Sequence, residues 1–185
     1  IDVQTGSLSI DRGTGANGSI FKNALGTGFL LGDASAQANA NFVFEEGVTF
    51  SGAGNLEVVT ATFNGRPTIA SNLIFSSGGL ITLNDEMSIL NQLRLNGTSI
   101  GGKGSIRVLS GAILNITSST NTLNTHLEIE GTFNWINGTL IGTGITHIAS
   151  GGILNMTGGT LSNHRLENSG TANLGLTTGA FTISL

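Results

Sequence analysis

Apolar residues in this chain come in short runs, and nearly every run is closed by Gly, Ser, Thr or Asn. They do not recur at i, i+3, i+4 and i+7 over any long window, and glycine interrupts each candidate helix. The runs at 42–44, 56–59, 73–75, 80–83, 89–95, 106–109, 112–116, 126–130, 132–136, 145–149 and 152–156 are instead rich in β-branched, aliphatic or aromatic residues, which is the composition of strands. Their close spacing leaves little room for long hairpins.

A period emerges when the runs are aligned. Leu73, Leu93, Ile113, Phe133 and Ile153 stand twenty residues apart, Ile116, Ile136 and Met156 follow the last three at a fixed distance, and Gly111, Gly131 and Gly151 precede them. The phrase SGAILNIT at 110–117 returns as SGGILNMT at 150–157 with six of eight residues identical, so alternate rows resemble each other most. A twenty-residue unit holding two or three short strands cannot bury its own apolar face, whereas stacked copies can. The expected fold is therefore all-β, a right-handed parallel β-helix (β-solenoid) with about twenty residues per turn. Adjacent turns lie about 4.8 Å apart, so roughly nine turns make a rod on the order of 45 Å long. The twenty-residue columns become an interior ladder (Leu73, Leu93, Ile113, Phe133, Ile153, with Ile116, Ile136 and Met156), and Gly111, Gly131 and Gly151 take the corners, where only glycine adopts positive φ freely.

The whole chain, 1–185, reads as one such segment, with less regular turns over 1–70 and regular turns over 71–185. The stretch GDASAQANANF is small and polar, and NGRPT around Pro67 reads as a longer loop leaving the coil. The chain starts at Ile1 without an apolar leader, and GAFTISL stops within a strand, so the expectation is a piece of a longer rod.

Composition narrows the function classes. With 29 glycines, 10% charged residues and 38% hydrophobic residues the chain is rich in turns, yet too apolar to be disordered. Net charge is −4 and the seven Lys and Arg are scattered singly, so no basic patch exists for a nucleic acid. No stretch reaches the roughly 18 apolar residues of a membrane helix. Cysteine is absent, which removes disulfides and thiolate metal sites. Scarce lysine with abundant Thr, Ser and Asn is the habit of bacterial surface and secreted proteins.

Candidate chemistry is sparse. His126, His147 and His164 lack a nucleophile elbow, although His126 and His147 stand about one turn apart, where a two-ligand metal contact is conceivable but incomplete. The paired carboxylates are Glu45 with Glu46, Asp85 with Glu86, and Glu128 with Glu130; the last two project to one side of a strand about 7 Å apart, the arrangement a β-helix glycosidase or lyase would use. No Asp column repeats to build a groove. GTGANG and GTGFLLG have no following helix to cradle a phosphate. Asn-x-Ser/Thr triplets start at Asn17, Asn96, Asn115, Asn137 and Asn155, two of them inside strands, and follow from composition. Thr-x-Thr triplets occur at 60–62 and 120–122 but do not share a column, which weighs against a flat ice-binding face.

The string GTFNWINGTLIGTGITHIASGGILNMTGGTLSNHRLENSGTANL resembles the β-strand repeats of large bacterial surface and secreted proteins, of the filamentous-haemagglutinin and autotransporter-passenger kind. The likeness covers roughly residues 48–175 and departs at 1–47. It implies a secreted β-helix acting as stalk, adhesin or matrix element. Together with the scattered titratable groups, it sets the expectation of a non-enzymatic structural or adhesive segment of an extracellular fibre, without cofactor or metal. Its expected partners are itself, end to end or side by side, or a surface polysaccharide or host surface. A carbohydrate-active β-helix enzyme is the alternative, and an ice-binding solenoid the second.

Overall fold

In a computed structural model the chain is a three-sided β-solenoid; the structure describes residues 1–32, 41–117, 119–175 and the backbone of 181–184. Among them there is no helix. The chain visits three sheets in rotation, and each strand pairs in parallel with the strand one coil away, giving nine strands per sheet. The first sheet runs from Asp2–Val3 to Arg165–Asn168, the second from Ser7–Ile10 to Thr171–Leu174, and the third from Gly13–Gly15 to Phe181–Ser184. Among the described residues no helix is long and apolar enough to cross a membrane.

Strands of two to four residues suffice because each alternates inward and outward, and every inward residue lies on another in the next coil. In the second sheet Leu73, Leu93, Leu114, Phe133, Leu154 and Ala172 are register partners in turn. The exact twenty-residue comb slips against this ladder. Leu73, Leu93, Phe133, Ile116 and Met156 are buried as the comb expects, but Ile113 and Ile153 are each 37% exposed and Ile136 is 51% exposed. Leu114, Leu154 and Trp135 take the interior places.

The corners between the first and second sheets explain the slip. Some hold four residues, as at 109–112 and 149–152, and others two, as at 130–131 and 169–170. In the longer kind Ala112 N–H donates to Leu109 O and Gly152 N–H to Ala149 O, both at 2.9 Å, with Gly111 (φ +86°) and Gly151 (φ +92°) at the third turn position. That turn requires positive φ there. Gly131 does not share that geometry: it stacks on Ala112, and a Cβ at that position would meet Ala112 O at 2.2 Å, so close approach and not φ excludes a side chain. Coils of twenty-one and nineteen residues therefore alternate from Leu93 to Leu154 and average to the comb.

Other boundaries shift for local reasons. The run 89–95 is two strands, Met87–Ile89 and Gln92–Leu95, separated by a corner at Leu90 and Asn91. Pro67 does not lead a loop away from the coil; it is buried in an ordinary four-residue corner before Thr68–Ile69, and its carbonyl accepts from Ser88 N–H at 3.1 Å. Most of GDASAQANANF lies outside the described residues.

The interior changes along the rod. Phe21, Phe29, Phe42, Phe44, Phe50, Phe63 and Phe75 form one connected aromatic stack, with Phe44 touching Phe63 at 4.7 Å between ring centroids. Beyond it the core is Leu, Ile, Val and Met, joined by the parallel pair Phe133 and Trp135. A few polar groups are enclosed: Asn121 accepts from Gly97 N–H and Thr98 N–H at 2.9 and 3.3 Å, and Thr146 hydrogen-bonds His164 at 2.9 Å.

Candidate functional site

The outward faces differ in chemistry because different residue types occupy their columns. On the second sheet the outward column continues through Arg94, Asn115, Asn134, Asn155 and Asn173. Each amide donates to the one before it: Asn134 Nδ2 to Asn115 Oδ1 at 3.1 Å, Asn155 to Asn134 at 2.8 Å and Asn173 to Asn155 at 2.9 Å. A shorter ladder joins Asn91, Asn72 and Asn55. An amide carries both donor and acceptor, so identical side chains one coil apart satisfy each other along the axis. The Asn115 and Asn155 triplets belong to this ladder. A column of Asn at 115, 134, 155 and 173 was visible in the chain, but only after allowing unequal coils.

The first sheet gathers the charges. Its outward column runs Ser88, Arg107, Glu128, His147 and Glu167. Glu128 lies between the two neighbouring histidines, 2.9 Å from His147 Nδ1 and 3.3 Å from His126 Nε2, and His147 Nε2 meets Ser169 Oγ at 3.1 Å. Arg107 holds Glu130 through Nε at 2.7 Å and also through Nη2, and Arg165 pairs with Glu167. The structure thus brings together His126, His147 and Glu128, while Glu130 is held apart from them by Arg107. Each carboxylate is engaged by a basic side chain on an open sheet face, without the cleft in which paired acids would flank a sugar. Among the described residues no three His, Asp or Glu side chains converge to hold a metal ion.

The remaining candidates are dispersed. Asp85 accepts from Glu86 N–H at 2.8 Å and from Arg66 Nε at 3.1 Å; these two contacts, the backbone one larger, hold its carboxyl below the ordinary value. Glu45 accepts from Asn64, and Glu46 contributes its backbone carbonyl to Gly18 N–H. His164 is buried, and burial pushes its imidazole below the ordinary value, opposed by the Leu123 backbone. GTGANG spans a strand end and the turn at Gly18, and GTGFLLG continues from a turn into Gly28–Leu31.

One concave region was not anticipated. A groove of about 730 Å³ opens on the second sheet beside Leu25, Leu30, Asn55, Glu57 and Asn72. A smaller one of about 360 Å³ adjoins it past Asp11 and Asn96, and Glu57 lines both. Ser76 donates to the Glu57 carboxylate and ties it down. Glu57 escaped sequence reading because it sits singly between Leu56 and Val58 in a strand.

On the third sheet no strand carries a charged residue. Thr120, Thr139 and Thr160 share one column, while Thr62 and Thr82 share a different one, so the threonines form no continuous array along the rod.

Comparison with family models, with curated proteins and with solved structures returns no match to this chain.

Proposed function

We propose that this chain is a non-enzymatic structural segment of an extracellular bacterial surface or matrix fibre, with any adhesive contact made by its exposed sheet faces. The observation that carries this reading is the asparagine ladder: the most regular polar feature of the molecule is turned along the axis to bind coil to coil. The charged column behaves likewise, because Arg107 to Glu130 and His147 to Glu128 are bonds between neighbouring coils. Groups satisfied by their own stack serve length and stiffness; a catalytic centre would leave some of them facing a substrate.

A carbohydrate-active enzyme would have its best place at the groove beside Glu57, the carboxylate that lines both cavities. The two readings separate on a screen of acidic and neutral polysaccharides with the wild-type chain and with Glu57→Gln, Glu128→Gln and Asp85→Asn. The structural reading expects no turnover by any of them. Turnover that disappears in one variant overturns it. Labelling of intact source cells with an antibody against this segment tests the location: fibres or surface patches are expected, and signal only after lysis contradicts the extracellular assignment.

A further inference from the structure

Four Asn-Gly steps occur in the chain, at Asn17, Asn64, Asn96 and Asn137, and the fold holds them differently. At Asn64 the side-chain amide is clamped between coils, donating to Glu45 and accepting from Asn84 Nδ2 at 2.9 Å, and the following Gly65 is buried. At Asn96 the following glycine N–H is taken by the buried Asn121, at 2.9 Å, and Ser119 reaches the side-chain oxygen at 3.4 Å. At Asn17 the following N–H is bonded to Glu46 O of the next coil at 2.9 Å. Asn137, exposed like Asn17 and Asn64, is the exception in its bonding: Gly138 N–H points at the oxygen of the Asn137 side chain itself, 2.8 Å away. Gly138 has φ +95°, a conformation that a side chain would resist.

This contact presents a nucleophile to an electrophile within one residue. The Gly138 nitrogen rests beside the amide group whose carbon it can attack, without first giving up a bond to another coil. Holding reacting groups together in this way replaces a bimolecular encounter by an intramolecular one. We propose that the Asn137-Gly138 step is a site of spontaneous covalent modification in the folded rod, converting Asn137 to aspartate and isoaspartate. The Gly138 nitrogen loses its proton to water or hydroxide and bonds to Asn137 Cγ. The Cγ–Nδ2 bond breaks, the amide nitrogen leaves as ammonia after taking up a proton, and a five-membered cyclic imide remains. Water then adds to either imide carbonyl and opens the ring, leaving aspartate or the β-linked isomer. No oxidant or enzyme is required.

The position gives the reaction a structural consequence. Asn137 occupies the corner between Thr132–Trp135 and Thr139–Ile141, so the product carboxylate lies at the edge of the sheet whose strands carry no charge. The β-linked product also inserts a methylene between two coil-to-coil bonds, Ile136 N–H to Ile116 O and Thr139 N–H to Ser119 O, both 2.9 Å. Ageing would thus loosen the rod at one predetermined corner.

The test is incubation of the intact chain in mildly alkaline buffer, followed by peptide mapping for the mass gain of one unit and for isoaspartate at all four steps. Asn137 is expected to convert on the order of tenfold faster than Asn17, Asn64 or Asn96 in the folded chain. In urea, where the coils no longer hold the glycines apart, the four rates should converge. Asn137→Gln should remove the isoaspartate signal from its own peptide and leave the other three unchanged. Equal rates in the folded chain overturn the proposal, and so does a lead at Asn137 that survives in urea, since the local sequence and not the fold would then set the rate.

Discussion

The coils before Phe75 and those after it solve the same packing problem with different materials. In the earlier coils the second-sheet ladder advances by twenty-one, twenty-seven and seventeen residues through Leu8, Phe29, Leu56 and Leu73, and seven phenylalanines share the interior with Leu, Val and Ile. From Leu73 to Ala172 it advances by twenty, twenty-one, nineteen, twenty-one and eighteen, and the interior is mainly aliphatic. Aromatic rings can meet edge to face or stacked, and both occur here, so they fill a cross-section whose perimeter varies from coil to coil. An aliphatic ladder fills a constant one. The outside follows suit: near-equal coils place Asn115, Asn134, Asn155 and Asn173 in one line, whereas unequal coils leave the groove beside Glu57 and the exposed Leu25. Regularity makes a strut, and irregularity leaves the 730 Å³ groove.

The comparison can be broken most severely inside the regular half. Leu114→Asp would place an unpaired carboxylate in a fully buried column and is expected to remove about 4 kcal/mol or more, unfolding the chain at ordinary temperature in a denaturant titration. In the aromatic half Phe44→Ala should cost about 3–5 kcal/mol, since Phe44 contacts four other rings and leaves a cavity among rigid neighbours. Asn134→Ala interrupts the ladder at its middle, removing one bond to each side, and should cost roughly 1–2 kcal/mol. The smallest effect belongs to Ile113→Asp, within about 1 kcal/mol, because that side chain faces outward. Leu114 and Ile113 are adjacent, so the pair reads the register directly.

Acid should distinguish the halves as well. His164 is buried in the regular half with its imidazole held below the ordinary value of 6.5 by burial. The unfolded chain therefore binds the proton more readily than the folded one, so stability from this group is complete above the unfolded value and falls as pH drops through and below it. His164→Gln should flatten that acid limb in melting experiments, while Phe44→Ala should lower the melting curve without changing its slope against pH.

Much of this was legible in the chain because an inward column of Leu, Ile and Phe must recur once per coil. The fold class and the places of Leu73, Leu93, Ile116, Phe133 and Met156 follow from that constraint. Ile113, Ile136 and Ile153 were misplaced because corners of four and two residues alternate, and a fixed period of twenty falls between them. The strands Ser99–Gly102, Thr120–Leu123 and Gly159–Ser162 escaped notice because SIGG, TNTL and GTLS hold glycine or threonine at two of their four positions and only one large apolar residue each, and only their place in the stack makes them strands. The earlier coils gave no comb because their aromatic core does not demand one. The contact of Glu128 with His126 lies within one strand, but its contact with His147 depends on register between two coils, which spacing in one strand does not determine.

Cross-linking tests the unequal-coil register most directly, and the absence of native cysteine makes it clean. Asn115 and Asn134 are direct register partners nineteen residues apart, with strands spaced about 4.8 Å. That separation lies within the window of roughly 4.4–6.8 Å between Cα atoms that a disulfide tolerates. In the double variant Asn115→Cys/Asn134→Cys, mild oxidation of the folded monomer should form the intramolecular disulfide nearly completely while the melting temperature is kept or raised. A folded double variant whose two thiols stay free under the same oxidation would contradict the register, and with it the solenoid described here.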